Sequence, residues 1–242
     1  MSEVARGLVR QNFALWLTGS DSREKHEVEV RSCVIAGWTG RDRDALEAHI
    51  RELEKLGVKR PASVPIFYRV SVSRLSIAEV VEVVGNSSSG EVEYVLLQWG
   101  GRLWVGLGSD HTDREAETID VTLSKQLCDK PIATELWAYD ELREYWDELI
   151  LRSFIISDGE RVLYQEGTVA AMRRPSELIE LYAGTGVLPE GTLMFCGTLA
   201  VHGEIRPSGS FEMELADPRR GRSIRKTYHV EPLRAQGWRM KV

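Results

Sequence analysis

The chain has 242 residues, 43% of them hydrophobic and 28% charged, with a formal net charge of −6. That is the composition of an ordinary globule, long enough for one large domain or two small ones. The negative balance and the lack of a long Lys/Arg tract argue against a general nucleic-acid binder.

The densest basic group, Arg219, Arg220, Arg222, Arg225 and Lys226, flanks a predicted hairpin turn and reads as a solvated loop. Cys33, Cys128 and Cys196 are widely spaced and contain no CxxC pair, which argues against a thiolate zinc site and a disulfide framework. The longest early apolar run, FALWL at 13–17, is too short for a signal-peptide core or a membrane span. The expectation is a cytoplasmic protein that engages no membrane.

In chain order, residues 1–24 are an N-terminal extension or the first hairpin of the domain that occupies 25–242. HEVEV and SCVIAGW (26–38) alternate and then become continuously apolar, as a strand does on entering an interior. DRDALEAHIRELEKLG (42–57) has a helical period, with Leu46, Ile50 and Leu53 as its stripe and Gly57 as its stop. PIFYRVSVSRL, AEVVEVVG and GEVEYVLLQW follow as strands, and Gly100-Gly101 supplies a tight turn into RLWVGLG. DELREYWDELIL (140–151) predicts a second helix with Leu142, Trp146 and Leu149 or Ile150 on one face. SFIIS-DG-ERVLYQEG is a hairpin, SELIELYAG a short helix, LPEGTLMFCGTLA a further segment, and FEMELADPRRGRSIRKTYHVEPL a closing hairpin. Strands scattered among three helices favour a β-rich α+β fold over an alternating parallel sheet.

GEVEYVLL places Glu91 and Glu93 on the same side of a strand, followed on that side by Val95 and Leu97. Two like charges at the edge of a core are unfavourable unless water or a cation compensates them. Across the predicted hairpin, GLGSDHTDRE brings Asp110 to the same locality. Three carboxylates without a thiolate suit Mg²⁺, Mn²⁺ or Ca²⁺. On spacing alone a second reading stays open, in which Glu91 and Glu93 are the wet face of a sheet and Asp110 and Asp113 an acidic loop.

GEVEYVLL, DHTDRE and LSKQLCDKP occur in the order, and at roughly the spacing, of E-x-E, D-x-T-x-R-D-x-Q and K-S-F-D in the fumarylacetoacetate hydrolase superfamily. Upstream, VIAGWTGRDRDALEAHIRELEKLG and RPASVPIFYRV are similar to its opening strand, its H-x-x-E lid segment and its P-x-x-P-x-x-F stretch. Downstream, LPEGTLMFCGTLA is similar to its L-x-x-G-D-x-I-x-T-G-T-P. The resemblance covers about residues 28 to 233, and the wording of AGWTGRDRDALEAH and GLGSDHTDRE resembles an uncharacterised bacterial branch, a domain of unknown function.

The resemblance implies a mixed β-roll or barrel with a few flanking helices, assembled as a homodimer. It implies Glu91, Glu93 and Asp110 as ligands of Mg²⁺ or Mn²⁺, with no organic cofactor. Lys125 would stabilise oxyanion or enolate charge, Arg114 would clamp a carboxylate, and Thr198 would line the substrate pocket. His49 and Glu52, three apart on a helix, match the lid pair that activates water, and His111 beside Asp110 is the alternative base on the substrate side. The implied activity is hydrolysis of a C–C bond, or decarboxylation, in a small 2-oxo acid or 1,3-dicarbonyl carboxylate. Isomerisation, hydration, amide hydrolysis and non-catalytic metabolite binding are the alternatives.

The departures are Glu115 and Glu117 where the pattern has Asp and Gln, Leu199 in place of proline, and the lack of Asn-Tyr before His49. The interval from Gly37 to His49 is also longer than in the pattern. The first departure implies that the second pocket takes a different substrate end.

Overall fold

The computed structural model describes residues 9–233 apart from 21, 45, 48–50, 52–59, 62 and 158. In chain order the first strands are β1 (Gln11–Thr18), β2 (Arg23–Val30), β3 (Ser32–Gly37), β4 (Ile66–Val70), β5 (Leu75–Ser76) and β6 (Val80–Val84). Next come β7 (Ser88–Ser89), β8 (Val92–Trp99), β9 (Arg102–Ser109), β10 (Thr112–Asp113), β11 (Lys130–Pro131) and β12 (Glu135–Ala138). The last are β13 (Ile150–Ser157), β14 (Glu160–Thr168), β15 (Thr192–Thr198), β16 (Ser210–Asp217) and β17 (Arg222–Leu233). Eight of them form a curled sheet in the order β2-β1-β12-β9-β8-β15-β3-β4, and five form a second sheet, β14-β13-β16-β17-β6. This is the β-rich α+β class, with few helices.

The central strands β3, β8, β9 and β15 of the curled sheet are buried on both faces, which explains their continuous apolar runs, while β1 alternates and β2 is exposed over its first half. Tyr94 and Leu96 of β8 share a core with Leu151, Phe211, Met213 and Leu215 of the second sheet. Val95 and Leu97, of opposite parity, face the inside of the curl with Leu15, Val28, Leu136 and Phe195. Gly100 and Gly101 join β8 to β9 with φ of 62° and 72°, the left-handed pair that a two-residue hairpin turn requires. A helix at Pro175–Ala183 buries Leu178 and Ile179, and Gly184, at φ 65°, caps it by donating its N–H to Glu180 O. Cys33, Cys128 and Cys196 are free and buried. Among the described residues no helix is long and apolar enough to cross a membrane.

The structure corrects the helix predicted at 140–151. Two 3₁₀ segments, Tyr139–Glu141 and Arg143–Glu148, occupy its first part, with Tyr145 outside helical geometry at φ −121°, ψ 26°. From Ile150 the chain is β13, hydrogen-bonded to β14 on one side and β16 on the other. The expected anchors Leu142, Trp146 and Leu149 are buried all the same. Two ladders for Ile150–Ile155 outweigh continuation of an α-helix, so tertiary pairing overrides the local period. The 26–38 segment is also two strands rather than one, with β2 antiparallel to β1 and β3 parallel to β15. In the 42–57 segment, residues 43, 44, 46, 47 and 51 are helical. Ile50, Leu53 and Gly57 lie outside the described residues.

Candidate metal and substrate site

The site forms at the open end of the β8–β9 hairpin. Val92 pairs with Ser109 there, and the Asp110 N–H donates to Glu91 O at 3.1 Å, which closes the two chains onto each other. Glu93 shares its strand face with Val95 and Leu97, so its carboxylate caps the apolar interior of the curl. Ligand oxygens of Glu91, Glu93 and Asp110 all lie within 4.8 Å of one another. Glu93 is 2% exposed and Asp110 fully buried, so neither lies on a wet face, while the Glu91 side chain is part-buried at 18% exposure.

Each carboxylate is held by a specific donor. The Gly197 N–H donates to Glu93 Oε2 at 2.6 Å. Gly197 has φ 97°, and a Cβ there would fall 1.8 Å from Thr39 Oγ1, so the position admits only glycine. Trp38, next to Thr39, has φ 58°, in the left-handed region that a bulky residue seldom occupies. Arg114 donates from one terminal nitrogen to Glu91 Oε1 at 2.8 Å, from the other to Glu117 Oε2 at 2.8 Å, and from Nε to Ser89 Oγ at 2.7 Å. Lys125, on a helix at Val121–Leu127 capped by Asp120, donates to Asp110 Oδ2. Lys130 Nζ lies 2.9 Å from Asp110 Oδ1 and donates to His111 O.

Charge separates the carboxylates. Burial, then the neighbouring Asp110 and Glu91, push the Glu93 carboxyl well above the usual carboxylate range. Burial acts on Asp110 in the same direction, but the Lys125 and Lys130 ammoniums outweigh it and hold Asp110 below that range. Lys125 is itself pushed up: burial opposes its charge, but Asp110 and Glu91 overcome that. A carboxylate crowded enough to favour its proton marks a place where a cation is stabilised. Asp110 Oδ1 is ion-paired to Lys130 at 2.9 Å but makes no hydrogen bond of good geometry. The all-oxygen donor set fits Mg²⁺, Mn²⁺ or Ca²⁺.

The other sequence candidates fall in different places. Thr198 donates to Val92 O at 2.7 Å and accepts from Gln165 Nε2 at 2.8 Å, so its hydroxyl ties β15 to the start of β8. His111 is buried behind Asp110, with Nδ1 2.9 Å from the Tyr228 hydroxyl and no partner for Nε2. Burial first, then Lys130 and Arg114, depress its pKa to about 3, which keeps the imidazole neutral. Arg114 holds Glu91 rather than standing as an open fork. His49 and Glu52 lie outside the described residues.

Three supporting residues escaped sequence reasoning. Lys130 is fully buried, within the quoted LSKQLCDKP but on a strand of two residues that carries no periodic signal. Gln165, also fully buried, accepts from Val92 N–H at 3.1 Å and from the Ser153 hydroxyl at 2.9 Å. A register shift between Ser153 and Phe154 breaks the alternation that would have shown Gln165 pointing inward. Tyr228 shares hydrogen bonds with Ser109 and His111, more than 100 residues away in sequence.

Solved structures share this architecture at low sequence identity. The protein Cg1458 matches with a TM-score of 0.59 at 12% identity, over 88% of this chain and 85% of that one. A yeast protein, ynq8, described as a fumarylacetoacetate hydrolase family protein, matches at 0.57 and 18% identity, over 88% and 97% of the two chains. 2-Keto-3-deoxy-D-arabinonate dehydratase complexed with magnesium and 2,5-dioxopentanoate matches at 0.56 and 17% identity, over 84% and 74%. No curated protein matches the chain at a significant level. The fold is thus that of the fumarylacetoacetate hydrolase superfamily, as the sequence resemblance implied. Residues 36–228 match the family described as "Protein of unknown function (DUF2848)", and the chain belongs to that family.

Proposed function

We propose that the protein is a divalent-metal-dependent enzyme acting on a small carboxylate that carries a neighbouring carbonyl, a 2-oxo acid or a 1,3-dicarbonyl acid. The observation that carries this reading is the convergence of Glu91, Glu93 and Asp110 within 4.8 Å beside the ammonium of Lys125. The structural neighbour solved with magnesium and 2,5-dioxopentanoate, a dicarbonyl compound, supports the same class.

In this reading Glu91, Glu93 and Asp110 hold Mg²⁺ or Mn²⁺. The ion, when bound, draws electron density from the substrate carbonyl. Gly197 and Arg114 keep two of its ligands from turning away, through contacts that do not depend on substrate. Lys125 stays protonated beside Asp110 and presents positive charge to an oxygen that becomes negative during reaction. The buried setting strengthens that interaction relative to water. His49 and Glu52 would supply the base for a hydrolytic step.

The test is a screen of small 2-oxo acids and 1,3-dicarbonyl acids for turnover with Mg²⁺ or Mn²⁺ and with chelator. The expected result is conversion of at least one acid that stops on chelation and is lost in Lys125→Met. Turnover unaffected by chelator contradicts the reading.

A further inference from the structure

The backbone between the two glutamates is held as firmly as their carboxylates. Val92, fully buried, is the middle residue of the E-x-E sequence. Its N–H belongs to the peptide that leaves Glu91, and its carbonyl to the peptide that enters Glu93. The Val92 N–H donates to Gln165 Oε1 at 3.1 Å. Gln165 Nε2 donates to Thr198 Oγ1 at 2.8 Å, and the Thr198 hydroxyl donates to Val92 O at 2.7 Å. The three bonds run in one direction, donor to acceptor, and close a ring, the arrangement in which hydrogen bonds strengthen one another.

Gln165 is also fixed from outside the ring. Its Oε1 accepts from the Ser153 hydroxyl at 2.9 Å, and its Nε2 reaches Leu199 O at 2.6 Å. Both acceptor and both donor positions of this fully buried amide are thereby filled. The flipped amide would set its NH₂ against the Val92 N–H and its oxygen against Leu199 O, so only one orientation fits. Two irregular pairings bring the ring together. β15 pairs Phe195 with Val95 but Thr198 with Glu93, three residues against two, so it bulges at Cys196 and Gly197. That bulge delivers the Gly197 N–H to the Glu93 carboxylate and the Thr198 hydroxyl to Val92 O. In the second sheet, Ser153 pairs with Gln165 but Phe154 with Leu163, so β14 carries an extra residue there. Bulges re-aim side chains in this way beside functional sites.

Resting on the metal-enzyme reading above, we propose that Gln165 and Thr198 are positioning residues of the metal centre, whose ring around Val92 sets the spacing of the Glu91 and Glu93 carboxylates. The ring fixes the peptide plane on each side of Val92, and those planes decide where the Cα–Cβ bonds of the two glutamates point. No group in the ring is charged, so it needs neither cation nor substrate to form. This role differs from the substrate-lining one that the resemblance implies for Thr198, because it acts on metal binding alone.

The test measures Mn²⁺ affinity by calorimetry, and the electron paramagnetic resonance spectrum of the bound ion, without substrate. Thr198→Val keeps the side-chain shape and removes the hydroxyl. It is expected to bind Mn²⁺ about tenfold or more weakly, the usual effect of losing a group that orients a ligand, and to alter the spectrum. Thr198→Ser restores the hydroxyl and should return both readouts to wild-type values. Gln165→Met should resemble Thr198→Val, and the double variant should bind about as well as the weaker single variant, because either change opens the same ring. Melts of the metal-free variants verify folding, and the two Thr198 variants decide alone if Gln165→Met does not fold. A wild-type affinity and spectrum in Thr198→Val, or losses that multiply in the double variant, overturn this proposal while leaving the metal-enzyme reading intact. Absence of Mn²⁺ binding by wild type removes both.

Discussion

The Gly197 N–H donates to Glu93 Oε2 at 2.6 Å, across 104 residues of sequence. This contact explains the glycine of the CGT turn, because the same residue packs its Cα against Thr39 with no room for a methyl group. Gly197→Ala is therefore expected to force the two chains apart and lower the melting temperature. It is also expected to weaken divalent-metal binding by about tenfold or more, the usual effect of losing a group that orients a ligand. Thr39→Ala removes the clashing hydroxyl and should partly restore both properties in the double variant, which melts and calorimetry would measure.

Lys130 and Asp110 form a fully buried ion pair that no solvent can replace. Lys130→Met leaves Asp110 with Lys125 alone and is expected to cost on the order of 3 kcal/mol in urea unfolding, the low end for breaking a buried pair. A loss under 1 kcal/mol would mean that Lys125 alone compensates the Asp110 charge.

Asp147 anchors the start of the 42–57 segment. Arg41 binds both its oxygens, at 3.0 and 2.9 Å, and Arg174 adds a third contact at 2.7 Å. The hydrogen bond from Arg41, with burial opposing and Arg174 assisting, lowers the Asp147 pKa from 3.8 to about 2. A depressed carboxylate contributes stability above its unfolded pKa and loses it as pH falls through the folded value. Wild type should therefore melt above Asp147→Asn at neutral pH, with the gap closing between pH 3.8 and about 2. The half-exposed setting keeps the gap small. A gap that persists below that window would assign the effect to packing instead.

His49→Ala is expected to leave metal affinity unchanged and to lower turnover by roughly two to four orders of magnitude, as loss of a general base does. Unchanged turnover would exclude the His49–Glu52 pair from chemistry and favour a reaction that needs no activated water.

The Glu91–Glu93–Asp110 cluster was legible because one local device creates it. The Gly100-Gly101 turn fixes the β8–β9 register, and that register brings the residues before β8 against those after β9. The E-x-E parity then does the rest. The supports of the cluster were not legible, since Lys130, Gln165 and Tyr228 meet their partners through strands whose pairing no local pattern announces. The 140–151 segment failed for a related reason: its apolar spacing suits a helix, but β14 and β16 offer Ile150 onward two hydrogen-bonded neighbours. The departure at Glu117 was visible in the sequence, while its capture by Arg114 required the structure.

The most direct test of the account is calorimetric titration of Mg²⁺ and Mn²⁺ into wild type and Asp110→Ala, with melts at rising metal concentration. The account predicts one site per chain in wild type, a melting temperature that climbs with metal concentration, and loss of both in the variant. Absence of binding in wild type, or equal binding by Asp110→Ala, would contradict it.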